Sequence, residues 1–322
     1  MTLRRAGASL VIRPGTGGDV ITIAGGGGAG LRIAYDVTRT ADRAPNAGSV
    51  LIYNLAEATR AKVAGAIPSD RLRVVPPSDS SPFKSDALLV ELPDVIAARY
   101  GYAYVELFAG YDGALARIHE GASTRIRSRR SGVTWETSLA FGDGEAPLAH
   151  ANANETFDRG TSVWEVVRHL ARSTGLVSGN IDRKTWERLD IFGGGYMGDQ
   201  YLGSSFVAAG DPLDLLAQLV SVYGIRVFVD QGELWLVGRT GYIDDPIVEL
   251  GVPRMEPEDT EEGIMVEVDH NPQLRPGVRA RVTSYRTSDV WYVDAVRFAG
   301  DTDGDLVCVA ELVPVAAGFG GA

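Results

Sequence analysis

The 322-residue sequence predicts a β-rich α+β protein, with two small antiparallel β-barrel domains flanking a smaller α+β domain. Three observations predict it. Apolar and polar residues alternate with period two at both ends of the chain, turn residues punctuate these runs, and only the middle changes to the 3.6-residue rhythm of amphipathic helices. The boundaries fall at residues 1–150, with a loop insertion near 76–100, then 151–242 and 243–322.

Val20 to Ile23 alternates and GGGGAG turns. Leu31, Ile33, Tyr35 and Val37 then alternate with Arg32, Ala34, Asp36 and Thr38, as a strand with one buried face requires. Ala41 to Asn46 bends the chain, with a Pro45 that a central strand would not tolerate. Val50 and Ile52 resume the alternation. Leu55, Thr59 and Val63 follow at helical spacing, with Asn54 as the expected N-cap. Arg71 to Val75 reads as a strand, and PPSDSSPFKSD from Pro76 to Asp86 as an exposed loop.

In GYAYVELFAGYDG, Ala103, Val105, Leu107 and Ala109 share a face and Asp112-Gly113 is a strong hairpin signal. Ala122 to Ser128 and Val133 to Phe141 form the next hairpin across RRSG, with Val133, Trp135, Thr137, Leu139 and Phe141 on one face. The helical middle opens at TSVWEVVRHLARSTGL, where Ser162 and Glu165 form a capping box, Val163, Val166, Val167 and Leu170 face inward, and Gly175 stops the helix. DPLDLLAQLVSVYGI repeats this design with Asp211 as cap, Pro212 at the first helical position and Gly224 as stop. The hairpin IRVFVD, Gln231-Gly232, ELWLVG follows. Phe192 to Ser205 is Gly-rich and aromatic, a loop in pattern. Strands return with Ile264, Val266 and Val268, with Val278, Ala280 and Val282, with Trp291, Val293 and Ala295, and with Leu306, Cys308, Ala310 and Leu312.

Composition narrows the function. The net charge of −11 opposes a nucleic-acid-binding surface, because a polyanion is repelled at long range, yet an acidic wall suits DNA that must slide past without sticking. No apolar run approaches the roughly 20 residues of a membrane span. The N-terminus MTLRRAGASLVIRPGTGG also lacks a signal-peptide core, so no stable membrane insertion is expected. The single Cys308 sits in the apolar run LVCVAEL, as a buried small residue rather than a reactive thiol.

No motif points to a catalytic, cofactor or metal site. Gly25, Gly27 and Gly30 match G-x-G-x-x-G, but a strand follows where dinucleotide binding needs a helix N-terminus. Asp301, Asp303 and Asp305 resemble the start of a calcium loop whose sixth and twelfth positions are here Leu306 and Leu312, which fits a polar hairpin turn better. The histidines, His119, His150, His169 and His270, show no zinc spacing. EPEDTEEG from Glu256 to Gly263 reads as a solvated acidic loop. A glycosidase carboxylate pair needs no shared local motif, so the sequence leaves that chemistry open. One polar pattern stands out: Arg125, Arg127 and Arg129 alternate along a strand and present three guanidinium groups on one face. They form either a subunit interface meeting a neighbour's carboxylates or a solvated outer face.

Three stretches resemble the baseplate hub (tail hub) proteins of tailed bacteriophages, the phage protein D-like family. LRIAYDVTRTADRAPNAGSVLIYNLAEATRAKV is similar to the family's N-terminal extended segment, turn, "IYNL" strand and short helix. YVELFAGYDGALARIHEGASTRIR resembles its barrel strands, and NPQLRPGVRARV with WYVDAVRFAGDTDGDLVCVAEL its C-terminal turn and hairpin. Phe298 stands where the family commonly has a polar residue, and the 76–100 segment looks inserted.

The resemblance implies a non-enzymatic virion protein of the tail baseplate, assembled in the host cytoplasm. It implies a homotrimer whose two tube-type barrels per subunit form a pseudo-sixfold ring. Its partners would be the tail tube protein or a distal tail ring, the tail spike and the tape measure protein, with DNA passing through the channel without sequence-specific binding and with no cofactor. The rival readings are a tail-associated carbohydrate hydrolase and another tail ring component such as a distal tail protein.

Overall fold

The computed structural model describes residues 4–15, 18–26, 30–66, 102–191, 195–198, 200–238, 246–285 and 288–315. The expected strand at Arg71 to Val75, the 76–100 insertion, Gly27 of the glycine motif and part of the 192–205 stretch lie outside them. The protein is β-rich with large antiparallel sheets, and its chain divides into two compact units. The first comprises Met1–Thr38, Asn46–Ala146 and Arg297–Cys308; the second comprises Arg39–Pro45, Pro147–Val296 and Val309–Ala322.

In the first unit, β1 (Ala6–Arg13), β2 (Ile21–Gly26), β3 (Ile33–Thr40), β4 (Ala47–Tyr53), β5 (Tyr104–Tyr111), β6 (Ala114–Ser131) and β7 (Thr134–Gly142) lie in the order β3-β4-β7-β6-β5-β1-β2. In β3 and β4 the alternation read from sequence is the alternation of burial, whereas β5 is buried on both faces from Tyr104 to Leu107. Ile33, Tyr35, Val37, Val50, Ile52, Leu139 and Phe141 are all buried, and so are Ala103, Val105, Leu107 and Ala109. Asp112 and Gly113 both take positive φ, 53° and 83°, the geometry whose twist suits a two-residue hairpin.

Three details depart from the expectation. The segments before and after Ala122 form one 18-residue strand, β6, which pairs with β5 through Ala122 and with β7 from there on. A bulge between Ser123 and Arg125 lets it bend from one partner to the other, and Gly121 sits so close to Gly142 that a Cβ would lie 2.1 Å from its carbonyl oxygen. Val133 is 91% exposed, because it lies in the turn and not on the face of Leu139. Asn54 does not cap the following helix, α1 (Glu57–Ala66): it adopts φ 54°, and its carboxamide oxygen accepts from the Trp135 amide while its own amide donates to the Trp135 carbonyl. It continues the pairing of β4 with β7 by one residue instead. Leu55 and Val63 are buried as expected.

The second unit holds the two amphipathic helices that the sequence predicts in the middle of the chain. After α2 (Glu145–Leu148) and β8 (Ala153–Phe157) comes α3 (Val163–Ser173), with Val163, Val166, Val167 and Leu170 fully buried. Ser162 occupies its N-cap position, although its hydroxyl makes no capping bond. β9 (Val177–Ser178), α4 (Arg183–Arg188), β10 (Asp190–Ile191), β11 (Gly195–Tyr196) and β12 (Phe206–Gly210) lead to α5 (Pro212–Ser221). There the Asp211 carboxylate accepts from the amides of Leu213 and Asp214 at 2.7 and 3.3 Å, satisfying donors that the first turn leaves free. β13 (Arg226–Asp230) and β14 (Glu233–Val237) form the predicted hairpin, with Gln231 and Gly232 at positive φ. Trp186, Leu216, Phe228 and Met197 are buried here.

β15 (Val248–Glu249), β16 (Glu258–Asp259), β17 (Ile264–Asp269), β18 (Arg279–Thr283), β19 (Ser288–Asp301) and β20 (Leu306–Pro314) complete the chain. The buried sets of β17, β18 and β20 match the sequence reading, Cys308 included. In β19 the alternation slips. Val293 is buried but Ala295 is only half-buried, and Val296 and Phe298 take over the inner positions. Phe298, the family's polar position, is fully buried.

Candidate functional site

Strand register decides what each unit offers a partner. On the outer face of β3, β4, β7 and β6, residues opposite one another form rows. Asp36, Ser49, Ala140 and Arg125 make one row, Ala34, Leu51, Ser138 and Arg127 the next, and Tyr53, Glu136 and Arg129 the third. Small residues at Ser49, Ser138 and Ala140 keep this face low, so the long arginines stand along its border.

The three arginines that the sequence singles out are thus on one exposed face, but they are not equivalent. Arg129 donates to Glu136 at 2.8 Å, its cross-strand neighbour. Arg125 and Arg127 face Ala140 and Ser138, which offer no charge, and neither has an ion-pair partner among the described residues. An exposed pair such as Arg129–Glu136 contributes about 0–1 kcal/mol. A guanidinium without a partner is available to one brought by another surface. The register of the RRSG hairpin was the signal that separates Arg129 from the other two, since counting back from the turn places it opposite Glu136.

The opposite border of the same face is charge-compensated. Arg297 donates to Asp36 at 2.5 Å, and Arg32 donates to Asp301 at 2.6 Å while its guanidinium lies 4.6 Å from the Tyr53 ring centre. Partial burial raises the Asp301 carboxyl, but the Arg32 hydrogen bond, the Asp303 amide and the Arg32 charge outweigh it and hold the group below its ordinary value. The aspartates of GDTDGD are therefore committed to a hairpin turn: Asp301 to Arg32 and the Asp303 amide, Asp305 to the Tyr111 hydroxyl. No group of three or more His, Cys, Asp or Glu suited to a metal ion occurs among the described residues.

Glu106 and Glu120 are a pair of buried carboxylates directly opposite each other on β5 and β6. Arg13 donates to Glu106 at 3.0 Å and Arg117 to Glu120 at 2.5 Å, so each carboxylate has a guanidinium partner. Burial, together with the Glu120 charge, keeps the neighbouring Tyr104 hydroxyl protonated far above its ordinary range.

The last two residues of β3 belong to the second unit, and one of them, Arg39, carries a charge that the sequence pattern did not single out. Arg39 and Asp230 are 1% and 2% exposed and meet end to end, Nε to Oδ1 at 2.7 Å and Nη2 to Oδ2 at 2.6 Å. A signal existed: Arg39 continues the inward series Ile33, Tyr35, Val37. An open groove of about 640 Å³ in the same unit is lined in part by Arg43, Asp214 and Arg226, but Arg43 is paired with Asp214 and Arg226 with Asp294. The acidic stretch read as a loop is a hairpin. Glu258 and Asp259 of β16 pair with Met265 and Ile264 of β17 across a turn carrying Glu261 and Glu262, and all four acidic side chains are exposed.

No protein-family model matches the chain, and no curated protein matches it in sequence. Solved structures share the fold. The 43 kDa tail protein of prophage MuSo2 from Shewanella oneidensis is similar over 96% of this chain and 98% of its own, with a TM-score of 0.55 at 11% identity. A tail protein from Neisseria meningitidis MC58 is similar over 95% and 96%, with a TM-score of 0.52 at 12% identity. The E. coli c3393 protein is a component of the type VI secretion system with structural similarity to the T4 bacteriophage tail proteins gp27 and gp5. It is similar over 89% of this chain and 74% of its own, with a TM-score of 0.50 at 10% identity. The chain therefore shares its fold with solved phage tail proteins.

Proposed function

We propose that the protein is a structural, non-enzymatic subunit of a phage tail baseplate, acting as the hub that joins the hexameric tail tube to the trimeric spike. The observation that carries this reading is a fold shared with phage tail proteins over nearly the whole of both chains. In this reading three copies form a ring. Each contributes two β-barrel domains, residues 1–150 and 243–322, flanking the α+β domain 151–242, and six barrels continue the sixfold tube on one side while the threefold symmetry receives the spike. The tube protein or a distal tail ring, the spike and the tape measure protein are the proposed partners, and the baseplate is assembled in the host cytoplasm. Arg125, Arg127 and Arg129 are the proposed subunit contact.

Physical chemistry supports the assignment in two ways. A closed ring suits a channel, and the net charge of −11 favours a wall along which DNA slides without binding. Each carboxylate of the buried Glu106–Glu120 pair is bound by an arginine, which suits a scaffold better than a hydrolase. The mass of the purified protein in solution tests the ring. A species of three chains supports the reading, and a strict monomer at high concentration overturns it. Incubation with peptidoglycan tests the rival: turnover abolished by a single Asp or Glu substitution would replace the scaffold with an enzyme.

A further inference from the structure

Two exposed charge clusters of opposite sign face cross-strand neighbours that carry no opposing charge. Arg125 and Arg127 border a low sheet face whose neighbouring residues, Ala140, Ser138 and Ser49, are small and neutral. Glu258, Asp259, Glu261 and Glu262 form a narrow hairpin whose cross-strand residues, Met265 and Ile264, are equally unable to compensate them. Two hydrogen bonds close the turn: the Thr260 amide donates to the Gly263 carbonyl at 2.9 Å, and the Gly263 amide donates to the Thr260 hydroxyl at 3.0 Å. β16 is two residues long and charged, which discourages backbone pairing with a foreign strand. What it presents to a partner is its carboxylates.

We infer that the acidic Glu258–Glu262 hairpin of one copy docks on the Arg125/Arg127 sheet face of the next. This rests on the proposed ring and specifies its contact. Two different patches of one chain then meet head to tail, and contacts of that kind generate closed rings when the rotation closes. Arginine suits the role because its planar fork binds a carboxylate through two parallel hydrogen bonds. Arg129 stays with Glu136 and serves as the rim of the contact rather than its centre.

Charge reversal tests the inference on the full chain, with mass in solution as the readout. Arg125→Glu with Arg127→Glu should weaken association roughly a hundredfold or more, as should Glu258→Lys, Asp259→Lys, Glu261→Lys and Glu262→Lys made together. Combining all six in one chain should restore association, because every contact is re-formed with its signs exchanged. Thermal melting of each variant verifies that it is folded, and association of the unaltered protein should weaken as salt is raised.

Three results would overturn the inference. Association unaffected by either reversal removes this contact and leaves the ring reading intact. Loss in both single-patch variants without recovery in the combined one shows that the patches do not meet. Reversed arginines that leave the oligomer intact but block incorporation into particles assign the face to a different protein. A monomeric unaltered protein would remove the ring itself.

Discussion

Arg39 and Arg127 are both strand arginines in an acidic protein, and the fold uses them in opposite ways. Arg39 lies on the inward side of β3, almost wholly removed from water and bound end to end by Asp230. Arg127 lies on the outward side of β6 opposite a serine, with no ion-pair partner among the described residues. Burying a charge is tolerated only with full compensation, so Arg39 is committed to its own chain. Exposure costs Arg127 nothing, so its hydrogen-bonding fork remains available to another surface. One arginine is bound within its own chain, and the other stands exposed on the outer sheet face.

The contrast breaks most visibly at the buried pair. Arg39→Ala should destabilise the protein by about 3–5 kcal/mol, because Asp230 is left as a buried charge without a partner. Urea unfolding measures this, and Arg39→Met combined with Asp230→Leu should recover most of the loss. Truncation of Arg125 and Arg127 to Ala should do the reverse. Stability should stay within about 0.5 kcal/mol of the parent, as for surface changes away from special features, while the oligomer dissociates. An equal effect of the two truncations on unfolding would dissolve the distinction.

Protonation sharpens the comparison from the interior. Burial raises the Tyr292 hydroxyl to about 12 despite the opposing Arg226 charge, and burial likewise raises Tyr35 and Tyr104. A tyrosine raised in the folded state contributes stability that is fully present below the unfolded value near 10 and is lost as pH climbs through the folded value. Stability should therefore fall above about pH 10, and substituting Phe for Tyr35 should reduce that fall. The smallest effect belongs to the exposed border. Asp301 lies below its ordinary value, so its contribution is present above the unfolded carboxylate value and is lost as acid titrates the folded group. Asp301→Asn should shift the acid unfolding midpoint slightly, and high salt should shrink that shift.

Much of the architecture was legible because it was locally encoded. Asp112-Gly113 and Gln231-Gly232 place positive φ where hairpins need it, Asp211-Pro212 starts a helix, and Leu306 to Leu312 alternates into a buried face. What was not legible depends on partners distant in sequence. Nothing near Arg39 announces Asp230, 191 residues away. The bend of β6 depends on a change of pairing partner at Ala122, and the slip between Val293 and Val296 depends on which neighbours β19 meets. Asn54 looks like a helix cap in isolation and becomes a sheet clasp only once Trp135 lies opposite. The arginine face was visible as an alternation, but its division into paired Arg129 and unpaired Arg125 and Arg127 required the register of β7.

The most direct test of the hub assignment is a three-dimensional image of the assembled particle in which this chain is located. Three copies forming a ring at the spike-proximal end of the tail tube, around an open channel, is the predicted result. A location away from the tube axis, or a ring of a different copy number, would contradict it.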